Sequence, residues 1–246
     1  MRVYIDAAPG GEATNLALAH ALARRADRED AYEAVHVYQP TGRSVVFGRR
    51  ETRLPGFPAA VRAARDAGFE PLIRATGGLA VAYTEEAVVV HHVRHDSEPT
   101  KGHDARFLSF GASLVDILGQ LGVASRLGPV PGEYCPGAQS VNARGEVKLV
   151  GTAQRILRRA WLFGSLVIVG DETVIRTVLT QVYRHLGHEF EPTAVGSLSF
   201  ENPALDTQTV AKTLLGVYAK TTTPQPITDA ADLLDYAMSS VADHRV

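Results

Sequence analysis

The sequence predicts an α/β (α+β) fold, a mixed, largely antiparallel sheet flanked by helices. Three observations carry this expectation. Short β-rich runs follow one another through turn signals, as over residues 34–47 and 71–93. Longer amphipathic stretches are inserted between those groups, which points to helices packed on a sheet. The chain contains neither a phosphate loop nor a strand followed by G-x-G-x-x-G, so a nucleotide-binding parallel sheet is not indicated.

Taken in order, residues 12–25 read as a helix because Leu16, Ala19, Leu22 and Ala23 recur at helical spacing. Residues 34–38 and 44–47 read as short strands, joined by Gln39-Pro40-Thr41-Gly42 like a hairpin. A helix over 57–67 ends at Gly68, a residue suited to a left-handed cap. Strand 71–74, the turn Thr76-Gly77-Gly78, and strands 79–83 and 87–93 follow. Helix 104–121 stops at Gly122. Residues 128–137 are so rich in Gly and Pro that neither a helix nor a central strand fits, and an ordered loop is expected. Segments 140–141 and 146–150 flank the hairpin turn Asn142-Ala143-Arg144-Gly145. On strand 161–169, Trp161 and Phe163 alternate with Leu162, which suits core packing. Helices over 172–186, 206–219 and 230–241 complete the chain. The expected organisation is one domain over 1–246, with C-terminal helices from about residue 200.

Composition narrows the class. With 246 residues, 45% of them hydrophobic, the chain can bury one large core or two small ones. A net charge of -2 argues against a general nucleic-acid binder. No run reaches the roughly 20 apolar residues that span a bilayer. The start, Met1 to Asp6, lacks the basic residues and apolar stretch of a secretory signal. The single cysteine cannot form an internal disulfide. A soluble, cytoplasmic, globular protein without membrane contact is expected.

Three segments can carry chemistry. Cys135 lies in the Gly/Pro loop between Tyr134 and Pro136-Gly137, where a thiolate could form a thioester that amines attack readily. The alternative is a small buried hydrophobe. Lys148, after the hairpin turn, could hydrogen-bond an acyl carbonyl or a developing oxyanion, or be an ordinary solvated lysine. In Arg74-Ala75-Thr76-Gly77-Gly78-Leu79-Ala80-Val81, paired glycines permit close approach of backbone to ligand, or form a turn and nothing more. Among His91, His92, His95, His103, Asp96 and Asp104, strand alternation sends His91 and His92 to opposite faces, so no metal site is expected. Arg49, Arg50 and Arg53, with Arg155, Arg158 and Arg159, form two basic clusters. They read as a docking face for an acidic carrier domain or as a solvated surface.

In order and spacing these segments resemble the superfamily of biotin and lipoate protein ligases and octanoyltransferases, over about residues 15–185. Arg74-x-x-Gly77-Gly78 is similar to its arginine–glycine motif, and Lys148-x-x-Gly151-x-Ala153-Gln154 to its lysine motif. Tyr134-Cys135-Pro136-Gly137, with Gly77 to Val81, resembles the branch that moves octanoyl groups from glycine cleavage H protein to other lipoyl domains. Phe47-Gly48 and Arg53-Leu54-Pro55 are similar to its early segment.

The resemblance implies a biotin/lipoate ligase-like catalytic domain in which Cys135 accepts the acyl group and Lys148 binds its carbonyl. It places Arg74, Gly77, Gly78, Leu79, Gly151, Thr152, Ala153 and Gln154 around the acyl site. It implies no cofactor and no metal, and names lipoyl-domain proteins as partners: glycine cleavage H protein, 2-oxoacid dehydrogenase E2 subunits, or else acyl carrier protein. Two departures disfavour an adenylate-forming ligase. In the first, Leu79 follows Gly78 where ligases have a third glycine, and Tyr83 or Thr84 lies near the place of their histidine; in the second, Glu133-Tyr134-Cys135-Pro136 stands in the region of their Arg-Asn-Asp type segment. An ATP-dependent lipoate or biotin ligase and a non-catalytic carrier-binding or acyl-binding protein remain as alternatives, and the acyl chain length and donor stay open.

Overall fold

The structure, a computed structural model, describes residues 1–220 and 222–246. The first half of the chain runs β1 (Arg2–Ile5), α1 (Glu12–Arg28), β2 (Glu33–Tyr38), β3 (Ser44–Gly48) and α2 (Phe57–Asp66). It continues through β4 (Glu70–Arg74), β5 (Val81–Tyr83), β6 (Ala87–His95) and α3 (His103–Gln120). Then come β7 (Arg126–Leu127), β8 (Val141–Ala143), β9 (Val147–Ile156), β10 (Ala160–Ile168) and α4 (Glu172–Leu186). The last part holds α5 (Leu198–Glu201), α6 (Thr207–Tyr218), β11 (Gln225–Pro226) and α7 (Ala231–Ser240).

Eight strands form the main sheet in the order β11-β1-β2-β6-β10-β9-β8-β7, and β4-β3-β5 form a second, smaller sheet. In the main sheet the β1 pairings are parallel and all others antiparallel, as a mixed, largely antiparallel sheet requires. Strand alternation divides the core between two faces. Val35 and Val37 of β2, with Val88 and Val90 of β6, pack against Leu114, Ile117 and Leu118 of α3 and Val210 of α6. On the other face Ala34, Val93, Leu162 and Leu166 lie under Leu16, Ala19 and Ala23 of α1, in a cluster that continues into the small sheet, α2 and α4. Trp161 and Phe163 alternate away from Leu162, as expected. Phe163 stacks on Phe110 of α3 at 4.5 Å between ring centroids.

Local signals held where they are chemically specific. Gly68 adopts φ 79°, and the Phe69 amide donates to the Ala64 carbonyl at 2.9 Å, closing α2 with a left-handed cap. Arg144 and Gly145 both have positive φ, 59° and 78°, and the Glu146 amide donates to Ala143. That is the tight hairpin turn expected here, one residue further along.

One connection departs from the expectation. Residues 34–38 and 44–47 do not form a hairpin. Both edges of β2 are already taken, by β1 and β6, so the chain after Gln39-Pro40 crosses into the second sheet, where β3 pairs with β4 and β5. Strand β9 also runs past Gly151 to Ile156, further than 146–150, because residues 150–156 pair with β10. Among the described residues no helix is long and apolar enough to cross a membrane.

Leu149 is fully buried on β9, beneath the site described next. Leu149→Ala is expected to lower unfolding free energy by about 2–5 kcal/mol, the cost of a large-to-small change with a residual cavity. Urea titration followed by circular dichroism measures it.

Candidate active site

The loop over 128–137 owes its shape to one buried carboxylate. Glu133 accepts hydrogen bonds from the Val130 amide at 3.0 Å, the Gly137 amide at 3.4 Å and the Ser140 hydroxyl at 2.6 Å. Its remaining partner is Lys148 Nζ at 2.8 Å, an ion pair whose two side chains are 1% and 3% exposed. The ammonium also donates to the backbone carbonyls of Tyr134 at 3.1 Å and Cys135 at 2.9 Å. A lysine has three N–H donors, and protein acceptors occupy all three.

Cys135 itself sits at φ 43°, a left-handed conformation unusual for a residue with a side chain. Three clamps hold it there. Lys148 takes its carbonyl, the Tyr183 hydroxyl accepts from its amide at 2.7 Å, and Tyr183 in turn donates to the Ala80 carbonyl at 2.8 Å. The turn so enforced presents the sulfur to the loop after β4. There the Leu79 amide points at Sγ from 3.2 Å and Arg74 Nη2 from 3.6 Å.

Arg74 is buried and ties that loop together, donating to the carbonyls of Val46, Gly77 and Leu79. Gly78 has φ 98°. A β-carbon there would lie 2.5 Å from Cys135 Sγ and 2.8 Å from Arg74 Nη2, so the paired glycines do admit close approach. Gly48 backs the same loop, since a β-carbon on it would collide with the Gly78 carbonyl oxygen. Glu51, buried, completes the support by accepting from the amides of Gly48 at 2.7 Å and Ala80 at 3.0 Å.

Behind Cys135 and Lys148 opens a cleft of about 750 Å³ of empty space, the open solvent at its mouth included. Gly151, Thr152 and Ala153 line it, as do Arg74 and Tyr134. Leu16 and Ala19 of α1 cover it, and Leu162, Gly164 and Leu166 of β10 form its floor. Lys148 extends over Gly151, whose β-carbon, if present, would meet Lys148 Cε at 3.3 Å.

Gln154 does not line the cleft. Alternation along β9 turns it to the opposite face, where it donates to the His103 carbonyl at 2.9 Å and accepts from Arg106 at 3.1 Å. Its part is to fasten α3 to the sheet.

The inner wall of the cleft is polar. Tyr38 and Tyr83 both donate to Glu12 at 2.7 Å, and His91 stands beside Tyr38, ring centroids 5.8 Å apart. Burial raises the Glu12 carboxyl to about 7, against the hydrogen bonds from Tyr83, Tyr38 and Asn15 that favour its charge. Burial, reinforced by His36, lowers His91 to about 3, and burial lowers His36 to about 4.

The remaining candidates are dispersed. His91 and His92 do face opposite sides: His92 bonds Glu33 at 2.9 Å, while His95 lies near Asp30 and His103 bonds Asp104. Of the basic residues, Arg159 pairs with Asp30 at 2.6 Å, while Arg49, Arg50, Arg53 and Arg158 are exposed. Arg155 donates to the Ala75 carbonyl at 2.8 Å, at the rim of the cleft. Its pKa is drawn down by burial and then by Arg49 and Arg24.

Glu133, Glu51 and Tyr183 escaped the sequence reading. None sits in a motif of its own, and each acts through partners distant in the chain. Only the acid two residues before Cys135 offered a local signal.

Two outcomes are expected from these charges. Glu133→Ala strands the Lys148 ammonium and is expected to lose about 3–5 kcal/mol of stability, measured by denaturant titration. Glu12 binds its proton more tightly when folded, so between pH 4.5 and 7 its contribution falls as pH rises. His36 and His91 resist protonation when folded, so theirs rises up to about pH 6.5. Removing the opposing acid in Glu12→Gln should make stability climb more steeply from pH 4.5 to 6.5 than in the parent. Thermal melts across that window read the difference.

An octanoyl-[GcvH]:protein N-octanoyltransferase of Geobacillus kaustophilus is 26% identical over 168 residues, covering 68% of this chain and 58% of the relative. The chain thus spans somewhat over half the length of that relative. Among solved structures, a lipoate-protein ligase A bound with ATP superposes with TM-score 0.75 at 19% identity, covering 98% of this chain and 94% of the other. The lipoate-bound putative lipoate protein ligase Ta0514 of T. acidophilum gives 0.74 at 20% identity, with coverage of 98% and 94%. These two show a shared fold. Residues 12–219 match the family model of the lipoyl protein ligase A/B catalytic domain, and the chain belongs to that family.

Proposed function

We propose that this protein transfers a medium-chain acyl group, octanoyl or similar, through a thioester on Cys135 to the lysine of a lipoyl-type carrier domain. The observation that carries this reading is the placement of Cys135 Sγ. The sulfur faces the Leu79 amide and the Arg74 guanidinium at the entrance of a cleft with a largely apolar floor and roof. Donors aimed at the sulfur and at the adjoining space stabilise negative charge that develops there. The name of the Geobacillus relative, an octanoyltransferase, supports acyl transfer.

In the first step the Cys135 thiolate attacks the carbonyl carbon of an acyl-lysine amide. A C–S bond forms, the C–N bond breaks, and the leaving lysine amine takes up a proton. In the second step the amine of another carrier's lysine attacks the thioester. A C–N bond forms, the C–S bond breaks, the nitrogen gives up a proton and the thiolate returns. Exchanging one amide for another is nearly neutral in energy, so this chemistry consumes no ATP, and a nucleophile divides it into two easier steps. With an octanoyl thioester of acyl carrier protein as donor, the Cys135 C–S bond would form as the donor's C–S bond breaks, and the carrier's thiolate would leave and take up a proton.

Gly77 and Gly78 would keep the backbone close to the reacting carbonyl, and Gly151, Thr152 and Ala153 would flank the acyl chain. Lys148 has a double part. At rest it fixes the Cys135 loop. To bind the acyl carbonyl it exchanges one of its two backbone acceptors for the substrate oxygen. The exposed arginines Arg49, Arg50, Arg53 and Arg158 would steer an acidic carrier domain to the entrance.

Intact mass after mixing the protein with octanoylated H protein, without ATP, tests the reading. A hydroxylamine-sensitive gain of roughly 126 Da, one octanoyl group, is expected and should vanish in Cys135→Ala. Absence of the adduct, together with adenylate formation from ATP and lipoate, would replace transfer by ligation. Absence of both would leave a carrier-binding or acyl-binding scaffold.

A further inference from the structure

The strand that delivers Arg74 to the site has an open edge. In the small sheet β3 is central, so β4 has a ladder on one side only, and Gly48 opposite Arg74 is its last partner there. Beyond Arg74 the chain turns into Thr76-Gly77-Gly78. Backbone groups on a free edge have no neighbouring strand to fix them and need other partners. Residues 244 and 245 supply them. Arg245 forms an isolated antiparallel bridge with Leu72, and His244 Nδ1 donates to the Ile73 carbonyl at 2.7 Å. Ile73 directly precedes Arg74.

The segment that brings His244 there is built into the core. Residues 222–246 lie past residue 219, where the family match ends. Even so, β11 extends the main sheet beside β1, and Leu233, Ala237 and Val241 join the cluster that holds Leu22, Ala23 and Leu72. Arg25 of α1 pairs with Asp232 of α7. The 3₁₀ turn Val241–His244 follows α7 directly and leaves His244 fully buried. Burial lowers the pKa of the imidazole, so the ring is neutral. A carbonyl can only accept, which puts the single proton on Nδ1, while Nε2 is buried with no partner among the described residues. The ring's one hydrogen bond thus falls on the backbone beside Arg74.

We infer that His244 is a positioning residue for the reactive sulfur, and that it acts through Arg74. The inference rests on the acyl-transfer reading above for the part that Cys135 plays. Arg74 takes its place from the end of β4, and its guanidinium must reach the carbonyls of Val46, Gly77 and Leu79 while Nη2 stays 3.6 Å from Cys135 Sγ. A long side chain magnifies a small rotation at its root, and a misplacement of about 1 Å can cost ~10²-fold in rate. Without the His244 bond the peptide at Ile73 has nothing to hold its carbonyl on the open side. The guanidinium then loses its fixed origin, and the loop carrying the Leu79 amide loosens with it. Lys148 on β9 and Tyr183 on α4 clamp the Cys135 loop from other elements, so those clamps stay in place.

Cys135 is the only cysteine, so its alkylation by iodoacetamide at fixed pH, followed by whole-protein mass, reports on the sulfur without any acyl donor. The thiolate is the form that reacts, and donors at the sulfur favour it. In His244→Asn the amide nitrogen overlays Nδ1 and can donate to Ile73. In His244→Gln it sits one bond further out, at the place of Nε2. His244→Asn should alkylate within about twofold of the parent, and His244→Gln and His244→Leu about tenfold more slowly, the scale of one lost hydrogen bond to a charged group. Octanoyl transfer should fall in the same order, in kcat rather than in KM for the carrier. In an Arg74→Lys background, which keeps the charge and loses the fork, the gap between His244→Asn and His244→Gln should close, because residues acting in series are not additive. A merely structural histidine predicts otherwise: a loosened fold exposes the sulfur, and alkylation is unchanged or faster. Equal rates in the Asn and Gln variants, faster alkylation in either, or a full gap that persists in Arg74→Lys overturns the inference. If His244→Leu does not fold, the Asn and Gln pair decides alone. The octanoyl adduct is scored separately: the Asn–Gln gap with no thioester on the parent protein removes the transfer reading and leaves the positioning role standing, and an adduct without the gap does the reverse.

Discussion

The site hangs on one buried ion pair. Lys148 on β9 and Glu133 in the loop before Cys135 meet at 2.8 Å with almost no exposure. Desolvating two charges is expensive, and such a pair is seldom a net gain in stability over a well-packed apolar pair. Here it carries geometric information. The carboxylate fixes three further donors of the 130–140 segment, and the ammonium fixes the two carbonyls that set the turn at Cys135. Replaced by hydrocarbon, the strand and the loop would still pack, but the Cys135 carbonyl would lose its clamp and only the Tyr183 hydroxyl would hold the left-handed residue. The polar pair therefore specifies a conformation that apolar contacts cannot.

A second support reaches the same residue from the other side. Glu51 and Tyr183 both bind the backbone of Ala80, next to Leu79, and tie it to Gly48 and to Cys135 itself. Because Gly78 lacks a side chain, the two halves approach until the Leu79 amide meets the sulfur. The Cys135 loop and the glycine loop are thus parts of one hydrogen-bonded unit, anchored on the small sheet, α4 and β9. Displacing either half moves the other.

What was legible in the sequence follows from how local each determinant is. The span of α4, the cap at Gly68 and the turn near Gly145 depend on residues within one or two turns of chain, and all three were readable. The hairpin expected after β2 was not, because strand pairing depends on which edges are free. The competitors, β1 and β6, lie far away in sequence. Among site residues, Cys135, Arg74 and the glycines announced themselves by type and spacing. Gln154 did so misleadingly, since the motif spacing carries no information on which face a strand residue takes until the strand is known to run on to Ile156. Glu133, Glu51 and Tyr183 were silent for a different reason. A buried acid or a tyrosine acquires its role from partners that only the fold brings near.

The same alternation that hid Gln154 explains how one sheet can be both a rigid floor and an opening. On β10, Trp161 and Phe163 pack their rings against Phe110 and Phe107 of α3, so one face is filled and stiff. The other face reads Leu162, Gly164, Leu166, and the middle position is empty. A glycine inside a strand weakens it and has nothing to pack, which is why such a position commonly marks a close approach or a ligand. The aromatic face offsets that weakness, for β10 is paired on both edges and its Trp161–Phe163 end packs against α3. The cleft is therefore cut into the best-supported strand of the fold, where removing a side chain opens space without loosening the sheet. Its polar end lies one strand further on, at His91.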